Sequence, residues 1–351
     1  MKVFADFHHP GLYYSLFLLF EKRLGYSVYR PIGMDWLDSG FYKIPNLCVT
    51  DQQRQDKLAE TLQENAIPSY SSQPWNVVVA KNHDYSTVAP FEACAAEQRA
   101  VSFEQFKQTK FDFVIASFKD HVAPFVEMSR KYQDSAPVIV QVGNEWNLNS
   151  FGDLPIMASM KRRECLAKKI LFYHQEFDVS TFASSNEPSH CQLASFVHDA
   201  YLSPEDRQIT FELEKALQPE YKVWLHGKGN RDGLVHSISD IAEIMKRSRF
   251  GLHLKASEDV YGHIIHNWCA AGKPVIFRGS QYCGRLAGTL LEHLETGIDI
   301  DITGPLVCAR IIKEMSGSEH ERLFRNMKSR FKQIVNFERD AETTKAFLRN
   351  I

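Results

Sequence analysis

Residues 250–277 read FGLHLKASEDVYGHIIHNWCAAGKPVIF: an apolar run, a helical stretch and a second apolar run in one short span. Antiparallel strands need only a tight turn between them, whereas parallel strands need a crossover of a dozen or more residues, usually a helix. The stop between helix and second strand is written in the residues. Gly272 suits the left-handed position that closes a helix, and Pro274 cannot continue one. A chain carrying this unit builds a parallel sheet with helices on its faces, so the fold class is α/β.

The same grammar recurs along the chain. Residues 2–7 read as a strand, 12–24 as a helix closed by Gly25, and 26–29 as the next strand. Further strands are expected at 76–80, 111–117, 137–142 and 169–173, with a helix over 122–132. The text at 178–195 turns loose and polar and serves as a linker. Beyond it the alternation resumes, with strands at 194–197, 221–225 and 250–254. A helix over 204–217 follows Ser203 as N-cap, and one over 239–247 has Ser239 as its cap. Residues 319–350 read as a charged helical tail without internal Gly or Pro.

At 351 residues the chain fits two domains of roughly 150 residues. The division expected is 1–185, 186–335 and a last helix at 336–351. The apolar fraction of 44% and charged fraction of 24% belong to a globular chain, and a net charge of −2 gives no global field toward nucleic acid or membrane. Seven scattered cysteines form no CxxC pair, and the longest apolar run, 12–20, is far too short to span a bilayer. The expectation is a cytoplasmic protein without a membrane span.

In a parallel sheet of this kind ligands bind outside the carboxyl ends of the strands. Gly227-Lys228-Gly229, the segment from Lys255 to Gly262, and Arg278 all fall there. A helix opening at Gly262 aims unbonded N–H groups at whatever occupies that place, which suits a diphosphate. No GxxxxGK[ST] occurs, so Walker-type ATP binding is not expected.

The stretch resembles the signature of the GT-B glycosyltransferases, family four above all. Asp259 falls on the first acidic position of that pattern, Gly262 on its glycine and Asn267 on its second acidic position, and Ala270 to Val275 match its closing segment. Gly227-Lys228-Gly229 is similar to that family's Gly-x-Gly loop. The resemblance covers 221–280 by motif and the rest by architecture. It implies two Rossmann-like domains facing across a cleft, with a C-terminal helix crossing back to the first. It also implies that Asp259 holds hydroxyls of the transferred sugar, with Glu258 as the alternative carboxylate. The amides near Tyr261, Gly262 and His263 would hold the diphosphate, and position 267 the ribose. Asn267 replaces the usual glutamate, keeping donor and acceptor capacity but losing the charge. Lys228, Lys255 or Arg278 would neutralise the leaving diphosphate, so no metal is required and no cofactor is tightly bound.

On the N-terminal side, His8-His9-Pro10-Gly11 ends the first strand, and either histidine has the pKa of a general base or phosphate donor. Gly11 permits tight passage into the helix. His83-Asp84 and Gly143-Asn144-Glu145 also end strands and are acceptor-side candidates; the family's usual His-Asp pair is absent at 144–145. The basic run 161–169 suits either a solvated helix face or an anionic acceptor. The reading is a hexosyltransferase, retaining by resemblance, using a UDP-sugar. Its acceptor would be a glycan, a small metabolite or a hydroxymethylated base in phage-type DNA. The alternatives are a nucleotide-sugar 2-epimerase and a non-catalytic nucleotide-sugar-binding protein.

Overall fold

The structure is a computed structural model, describing residues 1–6, 10–31, 99–101, 103–143, 148–159, 169–184, 192–235, 238–255 and 261–351. The chain divides into two compact units. One comprises Met1–Ala158, Cys165–Phe177 and Phe337–Ile351, and the other Ser159–Glu164 and Asp178–Asn336.

The first unit holds a parallel sheet of β1 (Lys2–Ala5), β2 (Ser27–Pro31), β3 (Arg99–Val101), β4 (Phe113–Ala116), β5 (Val138–Val142), β6 (Ile156–Ala158) and β7 (Ile170–Phe172). Their order is β3-β2-β1-β4-β5-β6-β7. β4 and β5 are buried at every position, as strands covered on both faces must be. Helix α1 (Pro10–Phe17) continues as a π-helical turn over Leu18–Arg23, where Leu24 N–H reaches back to Leu19 O. Tyr13, Leu16, Phe17 and Phe20 of this stretch pack on Val3, Ile115 and Ile139 of the sheet. Helices α2 (Phe103–Gln108) and α3 (Lys119–Tyr132) complete the described crossovers.

The second unit opens with the one-turn helix α4 (Val179–Phe182), capped by Asp178. Its parallel sheet comprises β8 (Gln192–Ser195), β9 (Lys222–Leu225), β10 (Phe250–His253), β11 (Val275–Phe277) and β12 (Gly297–Asp299), in the order β12-β11-β10-β8-β9. Helix α5 (Pro204–Leu217) starts as expected at Ser203, and the cap is reciprocal. Ser203 Oγ accepts from Asp206 N–H at 3.0 Å while the Asp206 carboxylate accepts from Ser203 N–H at 3.1 Å. Helices α6 (Ile238–Arg247), α7 (His263–Ala270), α8 (Gly279–Tyr282), α9 (Ile300–Glu314) and α10 (Gly317–Ile334) follow. Leu213, Leu217, Leu252, Ile276, Ile298 and Ile312 form the centre of the core.

One expectation is corrected. Ser239 lies inside α6 rather than capping it, because the helix begins at Ile238. The charged tail comprises two helices: α10 ends at Ile334, Val335 turns extended at ψ 107°, and α11 (Phe337–Leu348) starts afresh. Here α11 belongs to the first unit, where Asp340 accepts from the backbone N–H of His174 at 3.0 Å. Among the described residues no helix is long and apolar enough to cross a membrane.

Candidate functional site

The strand order locates a crevice in each unit. In the second, the chain passes from β8 outward to β9, then returns to β10 and proceeds the other way to β11 and β12. Connections leaving in opposite directions part between the carboxyl ends of β8 and β10, and the gap between them is where ligands enter such sheets. Three loops meet there: Phe196-Val197-His198, His226-Gly227-Lys228-Gly229, and Leu254-Lys255.

The glycine loop is tied to its neighbour by its own backbone. Lys228 N–H donates to His198 Nδ1 at 2.8 Å, and Lys228 O accepts from Asp199 N–H at 3.0 Å. With Nδ1 as acceptor, His198 carries its proton on Nε2. Gly227 has φ +128°, and a Cβ there would lie 2.6 Å from Val197 O, so only glycine fits. Aromatic rings floor this region: His226 stacks on Trp224 at 6.0 Å and on Phe196 at 5.5 Å, and Phe196 meets Trp268 at 5.8 Å. The ammonium of Lys255 lies 5.0 Å from the Tyr201 ring centroid.

Helix α7 follows β10 and points its N-terminus toward the same carboxyl end. Gly262 stands before it in the left-handed conformation, φ 69° and ψ 54°, packed so closely that a Cβ would sit 2.7 Å from that of Ala287. Tyr261, 3% exposed, stacks on His266 at 4.1 Å, and His266 Nδ1 lies 2.9 Å from Gly262 O. These contacts hold the first turn rigid, with the amides of His263 and Ile264 unused by the helix itself. One turn further, Asn267 is 1% exposed, and neither its amide nitrogen nor its oxygen has a hydrogen-bond partner. Trp268 Nε1 and His226 Nδ1 are buried and unpartnered too. Buried polar groups are normally satisfied, so such a concentration near one crevice marks a place built for something else to bind.

Arg278 is occupied. Its guanidinium meets Glu205 at 2.9 Å, Asp206 at 3.1 Å and Asp301 at 2.8 Å. Burial opposes its charge, but hydrogen bonds to Glu205, Asp301 and Asp206 outweigh that and raise its pKa above the ordinary value. One cation among three carboxylates leaves local charge negative, a poor setting for a diphosphate. A cavity of about 550 Å³ lies elsewhere, at the ends of β11 and β12, between Phe277, Tyr282, Arg285, His293 and Asp299. Strand topology and the unsatisfied polar atoms both favour the β8–β10 crevice over this cavity as the binding centre.

In the first unit the direction of connection reverses between β1 and β4. Asp6, 3% exposed, ends β1. Its Oδ2 accepts from Ser117 N–H at 3.1 Å and from Nδ1 of His121, 4% exposed, at 2.8 Å. Ser117 Oγ donates to Gln141 Oε1 at 2.6 Å, and Gln141 Nε2 donates to Tyr173 OH at 2.6 Å and to Leu12 O at 3.2 Å. Burial, only partly offset by hydrogen bonds from Gln141 and Ser15, pushes the Tyr173 hydroxyl up to about 12. None of these residues was singled out in the sequence. Gln141 left a trace, one polar residue in the strand VIVQV, and Asp6 another, an acid closing an apolar run. His121 left none.

The structure thus brings Gly227, Lys228, Lys255, Tyr261, Gly262, His263 and Asn267 to one end of one sheet. Gly11 is the second residue of α1. His8, His9, His83, Asp84, Asn144, Glu145, Glu258, Asp259 and residues 160–168 lie outside the described residues.

No protein-family model and no curated protein matches the chain. Solved structures do. HepE of Anabaena in complex with UDP matches 100% of this chain with 99% of its own, at a TM-score of 0.62 and 13% identity. A glycosyltransferase from Rickettsia africae matches 99% of this chain with 98% of its own, at 0.62 and 12%. Alpha-glucosyltransferase (AGT), in complex with UDP and a 13-mer DNA containing a HMU base, matches 99% with 99%, at 0.58 and 12%. The likeness is one of fold and runs the whole length: this chain has the GT-B architecture.

Proposed function

We propose that the protein is a glycosyltransferase that moves a hexose from a UDP-sugar to an acceptor hydroxyl. The observation that carries this reading is the N-terminus of α7 at the carboxyl end of β10, opened by left-handed Gly262 and backed by buried, unpartnered Asn267. The amides of Tyr261, Gly262 and His263 take the diphosphate, and the partial positive charge of the helix end opposes the charge that develops on it as the leaving group departs. Lys255 and Lys228 supply the cations, and Gly227 lets backbone approach the donor. Asn267 Oδ1 and Nδ2 accept from and donate to the ribose diol. Asp259, or Glu258 beside it, holds the sugar hydroxyls. His8 and His9, following Asp6, act on the acceptor side, with Asn144, Glu145, His83 and Asp84 as acceptor contacts.

The fold shared with HepE, AGT and the Rickettsia enzyme supports this reading, since the first two were solved with UDP. The likeness of 221–280 to family four favours retention of configuration at the sugar carbon. The acceptor is a hydroxyl of a glycan, a metabolite or a hydroxymethylated base. DNA belongs on that panel because AGT, of the same fold and length, was solved with DNA.

The test is product analysis with UDP-glucose and an acceptor panel that includes hydroxymethylated duplex DNA. The reading expects UDP release that depends on one acceptor, and a glucoside whose anomeric proton coupling reports retention. Acceptor-independent conversion of the sugar nucleotide would make the protein an epimerase instead. Tight UDP binding without turnover on any acceptor would make it a binding protein.

A further inference from the structure

The amino end of the second unit's sheet, opposite the crevice, gathers four basic groups, none of which bonds an acid among the described residues. Gly251 pairs with Val275 between β10 and β11, so Arg249 and Lys273, two residues upstream, stand side by side where the two strands begin. His320, on α10, lies against them, with Nε2 2.9 Å from Arg249 O. Lys328, two turns further along α10, crosses the turn at Gly272, where a Cβ would sit 2.9 Å from Lys328 Cγ.

What these groups bond to is the unusual part. Arg249 donates from Nη1 to Tyr221 OH at 2.7 Å and from Nη2 to Met315 O at 2.9 Å, and its buried Nε has no partner. Lys328 donates to Ser184 O at 2.7 Å. Lys273 is 1% exposed, and among the described residues its ammonium meets no hydrogen-bond acceptor and no acid. Among the described residues no carboxylate is bonded to any of the four. Seven other basic residues of this unit, Arg207, Arg231, Arg278, Arg322, Arg330, Lys246 and Lys313, each meet an acid. On the flanks Glu292 and Glu295 are held by Arg330 and Arg322, and Glu321, next to His320, lies 3.8 Å from Arg325.

We propose that Arg249, Lys273, His320 and Lys328 form a binding site for a small oxyanion of the phosphate class, separate from the nucleotide crevice. An ammonium removed from water without a counter-charge is among the costliest arrangements in a protein, and a bound dianion relieves it. The crowding of like charge is visible in the ionisation of these groups. Burial, reinforced by Lys328, pushes the Lys273 amine down to about 8. Burial also lowers Lys328, with Lys332 adding to it, and lowers His320, with Arg249 and Lys273 adding to it against Glu321. An oxyanion would reverse each shift and recharge Lys273, so binding takes up protons. Lys328 has two N–H directions left beyond Ser184, and the guanidinium and ammonium offer donors at adjacent strand ends.

The test is calorimetric titration of the full chain with inorganic phosphate, and separately with glucose 6-phosphate, at constant ionic strength. With Lys273 at about 8, it is nine-tenths charged at pH 7 and one-tenth charged at pH 9, so affinity for glucose 6-phosphate, mostly dianionic at both, should fall roughly tenfold, and that for inorganic phosphate, which gains dianion over the same range, roughly fourfold. Heats measured at pH 8 in two buffers of different ionisation enthalpy should show proton uptake. Lys273→Met should abolish binding, and Lys328→Met should weaken it at least tenfold, while both keep the wild-type circular dichroism spectrum. Tighter binding of one probe tells a free phosphate from a phosphoryl group on a metabolite. Phosphate binding that survives unchanged in both variants, or shows no change from pH 7 to pH 9, overturns the proposal. Because the variants lie at the carboxyl end of α7, remote from its N-terminus at Gly262, a loss of phosphate binding with UDP binding intact keeps the two sites apart.

Discussion

Replacing Asn267 by leucine should make the free protein more stable and its nucleotide response weaker. The residue is 1% exposed, and both polar atoms of its amide lack partners. An unmade hydrogen bond at a buried polar group costs about 1–3 kcal/mol, and leucine fills nearly the same space without it. A change of that size moves the midpoint of a 150–250-residue domain by about 2–4 °C per kcal/mol, so the shift should be roughly +2 to +12 °C. If the amide bonds the ribose diol as proposed, losing two hydrogen bonds worth about 1 kcal/mol each weakens UDP binding about 30-fold. At a UDP concentration of 100 times the wild-type dissociation constant, wild type gains about 2.7 kcal/mol and the variant only about 0.9. Urea unfolding followed by tryptophan fluorescence, with and without UDP, measures both numbers at once. A variant less stable than wild type, with an undiminished UDP gain, would refute the reasoning and make Asn267 a structural residue.

Three further outcomes are expected. Gly262→Ala forces a β-carbon into a left-handed conformation and against Ala287; it should cost about 1–3 kcal/mol by urea unfolding and also weaken UDP binding in the same titration. Arg278→Met leaves Asp206, 0% exposed, without its cation; it should cost about 3–5 kcal/mol. Asp301 resists the raising effect of burial and is held below its ordinary pKa by hydrogen bonds from Ser280 and by Arg278, so its contribution is present above the unfolded value and lost as pH falls through the folded one. Without Arg278 that loss should begin at higher pH, visible as an acid limb displaced upward in a stability–pH profile. Lys273 runs the other way. Its folded value of about 8 lies below the unfolded 10.5, so below pH 8 the folded state carries the full penalty, and between pH 8 and 10.5 the unfolded state binds the extra proton and stability rises with pH. Lys273→Met should therefore stabilise the protein by about 3 kcal/mol at pH 7 in phosphate-free buffer, and by almost nothing at pH 10.5.

The features that were legible in the sequence are those decided by nearby residues. Ser203, Pro204 and Asp206 announce the start of α5 because a cap is a contact over three positions. Gly272 and Pro274 end α7 for the same reason, and the apolar runs of β4 and β11 are continuous because both faces are covered. The loops at the carboxyl ends of β9 and β10 were legible through order and spacing along the chain. The misses are non-local. Ser239 has the chemistry of a cap, but the helix begins one residue earlier, at Ile238. β3 and β12 are three residues each and carry a charged residue, Arg99 and Asp299, so no apolar run announces them. The Asp6–His121 pair joins residues 115 positions apart, and the basic cluster around Lys273 gathers residues from separate strands and a helix. Neither is a pattern that a chain carries along its length.

The most direct test is a thermal unfolding series with UDP, GDP, ADP, CDP and dTDP on the wild-type chain and on Asn267→Leu. The account predicts that UDP stabilises the wild type, the other four less or not at all, and that the UDP response shrinks in the variant. If none of the five nucleotides moves the wild-type midpoint at millimolar concentration, α7 is an ordinary crossover helix and the glycosyltransferase reading is wrong.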